Sequence, residues 1–386
     1  MANVLTDLAA DIYKSADVVG RELTGLSSSV LINADGSERV AVGDTVRSHF
    51  TRQPSASVAV TPSMTIPQGT DQTVDNKTAT ISKSQAIQIP WTGEDMKSVN
   101  NGSGFDTIYG DQISQAMRTL SNEIEVDLAT DIYQNASRAV GTAGTTPFAS
   151  NFDLVAEGKQ ILVDNGCPQD QITMILNTNA GTKLKNLAQL QKANESNSDT
   201  LLRQGVLLDL QGVGIKESAG IQTHTKGTGA SATTNNAGYA IGATVITLAS
   251  AGTGTIVVGD VMTIAGDTNK YVIASGDTDV SDGGTITLAA PGLRVALTTS
   301  ATAVTIEATG ARNIMLRRSA AELIIRPPAM PEGGDAATDA MIVQDPFSGL
   351  VFEIRVYEGY KKKMFEVAAA WGYKTWKTEH VSIIHG

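Results

Sequence analysis

Residues 40 to 90 constrain the fold most, because they read as strands with little apolar mass of their own. VAVGDTVRSHF, SVAVTPSMTIP and TATISKSQAIQIPW carry the β-forming residues, and Pro54, Pro62, Pro67 and Pro90 punctuate them. The polar stretch QGTDQTVDNK separates the last two and predicts a hairpin tip. A two-stranded excursion is marginal by itself, since two strands bury too little to offset the entropy of ordering them. Such a segment becomes stable only when laid against another surface. The chain start makes the same demand. Leu5, Leu8, Ile12, Ala16 and Val19 recur at helical spacing until Gly20, with Asp7, Asp11, Lys14 and Asp17 exposed. This predicts a short amphipathic helix in a terminal arm that must find a partner surface.

The remainder supplies a body. Thr92-Gly93-Glu94-Asp95 has the N-cap and acidic first turn of a helix. Past NNGSG, residues 111–135 hold the longest helical pattern, with Ile113, Met117, Leu120, Ile124, Leu128 and Ile132 as its apolar stripe. Arg118, Glu123, Glu125, Asp127 and Asp131 lie mostly off that stripe. At 1.5 Å per residue this rod is about 37 Å long. Residues 151–220 alternate helix and strand: NFDLVAEGKQILVDNG closes at Gly166, QITMILN is a buried strand, and NAGTKLKNLAQLQKA is a second helix. LLRQGVLLDLQGVGIKES then leads to a sheet edge.

Residues 221–312 follow another grammar. They are rich in Thr, Gly and Ala, with short β runs ATVITLAS, GTIVVGDVMTIAG, KYVIAS, GTITLAA and AVTIEAT. ITLA occurs at 246 and again at 286. This spacing predicts a small all-β barrel or sandwich inserted into the α/β part. ARNIMLRRSAAELIIRP resumes the interrupted domain at 313, and MIVQD, LVFEIRVYEGY and KMFEVAAAWGY add strands. Alternation in VFEIRVYE predicts an antiparallel sheet with one wet face. The fold class is α+β.

Composition excludes several functions. A length of 386 residues suggests two or three domains. A net charge of −11 argues against sequence-specific nucleic-acid binding, which draws on released counterions. Cys167 is the one cysteine, so no intrachain disulfide forms and a structural thiol is expected. No run of about 18 apolar residues predicts a membrane span. The start lacks the basic and apolar regions of a signal peptide. No catalytic, cofactor-binding or metal constellation emerges. His49, His224, His380 and His385 do not pair as HExxH, and the Gly-rich pieces match no nucleotide cradle. Asp277, Asp279 and Asp282 crowd one loop, but Leu288 stands where an EF-hand needs its distal Glu, so a polar turn is expected.

The order of parts resembles the Hong Kong 97-type major capsid fold of tailed phages, in the branch with a β-barrel insertion. GDVMTIAG with KYVI resembles strands of that insertion, and DPFSGLVFEIRV resembles a strand of the peripheral domain. AAAWGYKTWKTEHVSIIHG resembles the closing signature, with Thr378 where that pattern has proline. The resemblance implies an N-terminal arm over 1–43 and an extended hairpin over 44–90. It implies a peripheral domain over 91–150 and 341–386, an axial domain over 151–220 and 313–340, and the insertion over 221–312. It further implies a shell of hexamers and pentamers around dsDNA, in the virion, assembled in the host cytoplasm. Scaffolding, portal and decoration proteins are the implied partners. The hairpin would lie over a neighbouring subunit, with Asp71, Asp75, Lys77 and Lys83 as candidates for intersubunit ion pairs. An acidic container also suits enclosed nucleic acid, because it does not stick to its cargo. An encapsulin-like nanocompartment is the alternative on the same fold. A β-rich surface adhesin is a second, and an enzyme is the most distant.

Overall fold

The computed structural model describes residues 25–51, 59–66, 74–100, 105–191, 209–345 and 348–386. The helix expected over the first twenty residues therefore lies outside the described residues, as does Asp71. The described chain enters at strand β1 (Leu31–Ala34). It continues through the hairpin β2 (Thr45–Thr51) and β3 (Val74–Thr80), then β4 (Lys83–Thr92). Helix α1 (Gly93–Asn100), the long helix α2 (Phe105–Gln134) and β5 (Arg138–Gly141) follow. The next part is α3 (Asp153–Asp164), β6 (Ile172–Leu176), α4 (Thr178–Lys185), α5 (Ala188–Gln191) and β7 (Gly214–Glu217). Seven short strands come after it: β8 (Thr223–His224), β9 (Ala232–Thr233), β10 (Val245–Thr247), β11 (Val261–Ile264), β12 (Lys270–Ser275), β13 (Thr285–Leu288) and β14 (Ala303–Ile306). The chain closes with β15 (Gly310–Arg317), β16 (Ala321–Arg326), β17 (Ala337–Gln344), β18 (Val351–Gly359), β19 (Lys362–Thr375) and β20 (Val381–His385).

Among the described residues these strands form three sheets. A six-stranded sheet runs β1-β16-β19-β18-β17, with β4 along the other edge of β19. A twelve-stranded sheet runs β7-β6-β15-β20-β5-β12-β11-β14-β9, with β8, β10 and β13 attached. The hairpin β2–β3 stands as a sheet of its own. Helix α2 joins the two large sheets. Its stripe from Ile113 to Ile132 packs in one core with Ile314, Leu316 and Ile383 of one sheet and Leu323, Phe352 and Trp371 of the other. Among the described residues the hairpin, long helix, α/β part, β-rich stretch and closing strands follow one another in the order the sequence predicts.

Several expectations shift. Helix α2 has 30 residues and starts at Phe105, so it is about 45 Å long. Gly110, just before the expected start at 111, sits inside the helix. The second α/β helix is two pieces: the Asn177 side chain caps α4 by accepting from Ala180 N at 2.8 Å, and α4 gives way at Asn186. The stretch 59–66, expected to be a strand, carries no strand assignment. Pro62 removes a donor there. The hairpin instead returns at Val74, with Thr51 opposite Val74 and Thr45 opposite Thr80. VDNK is thus strand rather than tip.

The wet face expected of VFEIRVYE is also not there, since Glu353 and Arg355 are buried. Arg39 closes over them, its Nη2 2.6 Å from Glu353 Oε1, and Arg355 Nε lies 2.8 Å from the same oxygen. Arg355 also pairs with Asp335, so two loops are drawn down onto the sheet. The expected boundaries at 313 and 341 do not follow the sheets. β16 belongs with β19 and β1, and β20 lies in the middle of the twelve-stranded sheet, parallel to β5. Both are short apolar runs buried on two faces, which alternation cannot assign to a partner. The β-rich stretch keeps its own core, including Ile246, Met262, Tyr271, Ile273, Ile286 and Leu288. The two ITLA copies face each other there, Ile246 opposite Ile286. Yet β12 pairs with β5, Tyr271 opposite Arg138, so that stretch extends the main sheet without a break.

Candidate assembly surfaces

The hairpin leaves the body through a short, well-fixed root. Ile81 N donates to Asp44 O at 2.9 Å, Gly43 N to Ile81 O at 3.0 Å, and Ser82 N to Trp371 O at 3.0 Å. Val40, Ala79, Ile81, Ile324 and Ala370 form a small buried cluster, with Val46 and Trp376 against it. The root crosses β19 at Gly372, where a Cβ would lie 2.3 Å from Thr80 O. Only glycine lets the two backbones approach this closely. Beyond the root the apolar residues lose their cover. Val60, Met64 and Ile66 are 98%, 105% and 86% exposed, on a segment where apolar and polar residues alternate. Burying such a side chain stabilises by about 1.5–3 kcal/mol, so these three leave apolar surface that the described subunit does not bury.

The four candidate charges separate. Asp71 is outside the described residues. Asp75 stands opposite Phe50 in the hairpin register. Lys77 lies within β3, not at the tip, and reaches back to the body: its Nζ donates to Trp376 O at 3.3 Å and sits 5.8 Å from the Trp376 ring centre. Lys83 is outside the hairpin altogether. It opens β4 and donates to Asp127 Oδ1 at 2.8 Å, and that hydrogen bond holds its pKa above the usual lysine value. Both lysines therefore make contacts within the subunit, Lys77 because the return strand begins several residues earlier than the polar composition suggested and Lys83 because it opens β4 beside α2.

A second site surrounds residues 26–30, next to the long helix. Glu125 of α2 is 2% exposed and accepts from Leu26 N at 3.1 Å, Ser27 N at 2.6 Å and Ser218 Oγ at 2.6 Å. Lys216 Nζ donates to Ser28 Oγ at 2.9 Å, and Arg318 Nε to Val30 O at 3.3 Å. The sequence placed Glu125 off the stripe. The helix is in fact buried over a wider arc that includes Ser121 and Glu125, because sheets cover it from two sides. On the same helix Asp127 Oδ2 accepts from Trp371 Nε1 at 3.0 Å and Asp131 Oδ2 from Thr375 Oγ1 at 2.7 Å. Burial raises the pKa of Asp131. Polar residues flanking the stripe were the available signal for this seam, but only the fold supplies their partners.

The acidic loop, the cysteine and the histidines make the following contacts. Asp279 Oδ1 accepts from Ser281 N and Oγ, and Asp277 Oδ1 from Asp279 N, so this loop uses its carboxylates on its own turns. Cys167 is buried, its thiol pushed up to about 11 by burial, and it donates to Pro168 O. That is a thiol, not a nucleophilic thiolate. His224 meets Asp260 at 2.9 Å, and Asp260 also accepts from Gly227 N and Val257 N. The group ties the β-rich stretch to Tyr133 of α2, whose hydroxyl is 3.4 Å from His224 Nδ1. Among the described residues no group of three or more His, Cys, Asp or Glu is placed to hold a metal ion. No described helix is long and apolar enough to cross a membrane.

No family model matches the chain, and no curated protein does. Solved structures do. The capsid of cyanophage P-SCSP1u is 10% identical over 93% of this chain and 86% of its own, with a TM-score of 0.49. The mature capsid of bacteriophage PhiM1 is 8% identical over 93% and 85%, at 0.47. A virus-like particle from Pyrococcus furiosus is 9% identical over 97% and 96%, at 0.43. These likenesses span nearly the whole chain, but at scores below 0.5 they concern its general course and say nothing of individual residues or of activity.

Proposed function

We propose that this chain is the major capsid subunit of a tailed phage, a structural protein that assembles into a closed head shell. The observation that carries this reading is the hairpin. It is rooted firmly in the body, yet it holds Val60, Met64 and Ile66 in water. An arm fixed at one end and apolar at the other is built to be covered by a second copy, and repetition of one such contact by symmetry generates a shell. The net charge of −11 keeps free subunits apart until many contacts form together. Asp71, Asp75, Lys77 and Lys83 enter this proposal as charges near or below the docking arm. Lys77 and Lys83 would reach a neighbour only by leaving Trp376 and Asp127. The N-terminal arm and the β-rich stretch are proposed as further contact elements. Hexamers and pentamers, scaffolding, portal and decoration partners, and assembly in the host cytoplasm belong to the same proposal.

Electron microscopy of the purified protein, alone and with a co-expressed scaffold, tests it. Polyhedral shells or hexamer and pentamer fragments are expected, and replacing Val60, Met64 and Ile66 together by serine should leave the subunit folded while abolishing stable shells. A strictly monomeric species at high concentration under both conditions would overturn the reading.

A further inference from the structure

We infer that Lys77, Trp376, Glu322 and Asn33 form a latch that couples the lean of the hairpin to the docking of the first described strand, β1. The inference goes beyond the shell reading, because the coupling is a property of the single subunit.

The latch is a chain of contacts running from one projecting element to another. Lys77, on β3, holds the backbone oxygen of Trp376 and sits over its ring, within the range of a cation–π contact. Trp376 is itself pinned, its N donating to Ala320 O at 2.8 Å and its Nε1 to Glu322 Oε2 at 2.7 Å. Glu322 lies in β16 and is buried. Its other oxygen, Oε1, accepts from Asn33 Nδ2 at 3.0 Å. Asn33 is the third residue of β1, opposite Ile324, and Arg326 Nη2 donates to its Oδ1 at 2.8 Å.

One buried carboxylate is thus divided between two elements: one oxygen answers to the hairpin through the indole, the other to β1 through the amide. Hydrogen bonds to a buried carboxylate are strong, and leaving one of its oxygens unpaired is costly. If the hairpin swings away, Lys77 leaves the ring, the indole loses its clamp, and Glu322 must find a new partner for Oε2. Asn33 is the neighbour already bound to that carboxylate. β1 is the element least able to resist, since it has four residues and, among the described residues, lies at the sheet edge paired with β16 alone. Hairpin motion therefore loosens the strand through which the chain start joins the body.

Amide hydrogen exchange on dissociated full-length subunits tests this directly. Lys77→Met should speed exchange at 76–80 and also at 31–34, by about tenfold at β1, as expected for loss of one charge-assisted contact. Lys77→Arg keeps the cation and should restore wild-type rates at both. Trp376→Phe keeps a ring beneath Lys77 but removes the indole N–H. It should speed 31–34 while leaving 76–80 protected, and in its background Lys77→Met should no longer change 31–34. The inference fails if Lys77→Met frees 76–80 but leaves 31–34 at wild-type rates. It also fails if Lys77→Met loosens β1 equally with and without the indole N–H. Neither result depends on whether the protein forms shells, which microscopy of the wild type decides separately.

Discussion

Replacing Glu125 by alanine should cost the subunit about 3–5 kcal/mol. The carboxylate accepts three hydrogen bonds in a site that is 2% exposed: two from the backbone N–H groups of Leu26 and Ser27 and one from the Ser218 hydroxyl. Truncation leaves all three donors facing a void. A buried donor without an acceptor costs about 1–3 kcal/mol, and the total is lower than three full penalties because the chain at 26–27 can relax toward water. Glu125→Gln keeps one carbonyl oxygen but turns an NH2 group toward a donor, so about half that loss is expected. Urea unfolding of dissociated subunits measures both, and the midpoint should fall with an unchanged slope. Exchange at 26–29 should rise in parallel. A loss below about 1 kcal/mol for the alanine variant, or equal losses for alanine and glutamine, would refute the assignment of Glu125 as the clamp on the incoming chain.

Two further outcomes follow from the same packing. His385 is buried, and burial together with the Arg312 guanidinium pushes its pKa down to about 3, while burial lowers Arg312 to about 10. Because the folded pKa lies below the unfolded value of 6.5, the unfolded chain takes up the proton first. The stability from neutral His385 is complete above pH 6.5 and is lost as pH falls toward 3, at up to about 1.4 kcal/mol per unit. His385→Asn should flatten the decline in urea midpoint between pH 6.5 and 5, and coincident wild-type and variant slopes would count against this. Ile81→Ala removes a fully buried side chain from the hairpin root and should cost about 2–5 kcal/mol in the same assay, whereas a loss under about 0.5 kcal/mol would mean the root is not packed.

The legible parts of this fold were those whose physics is local. The stripe from Ile113 to Ile132 fixes a helix by spacing alone, and it packs as expected. KYVIAS and ITLA identify strands because β-branched residues alternate between turn residues, and both are strands of the β-rich core. What spacing does not carry is partnership. AELIIR and VSIIHG look alike as short apolar runs, yet they enter different sheets, because each fills whatever slot the long helix leaves. Glu125, Asp127 and Asp131 read as a solvated face until two sheets close over the helix and supply Leu26, Trp371 and Thr375 as donors. The place of Lys77 was hidden for a related reason. Polar composition located a tip at 68–77, but strand pairing from Val74 onward absorbed its last four residues and carried Lys77 to the indole of Trp376.

The hairpin separates folding from association along its own length. Its root is enclosed by residues distant in sequence, Val40, Ile324 and Ala370, so its burial is complete within one subunit. Its outer segment has Val60, Met64 and Ile66 in water, and those side chains add nothing to the stability of a subunit on its own. The root and the outer segment therefore answer to different equilibria. Stability of the subunit should not depend on protein concentration through the exposed segment, whereas order in that segment should, because only a second surface can cover it. A chain of net charge −11 opposes that second step at low ionic strength and yields to it as salt screens the repulsion. On the proposed reading, the apolar face of the arm stays unfilled and subunits stay dispersed until several such faces are covered together.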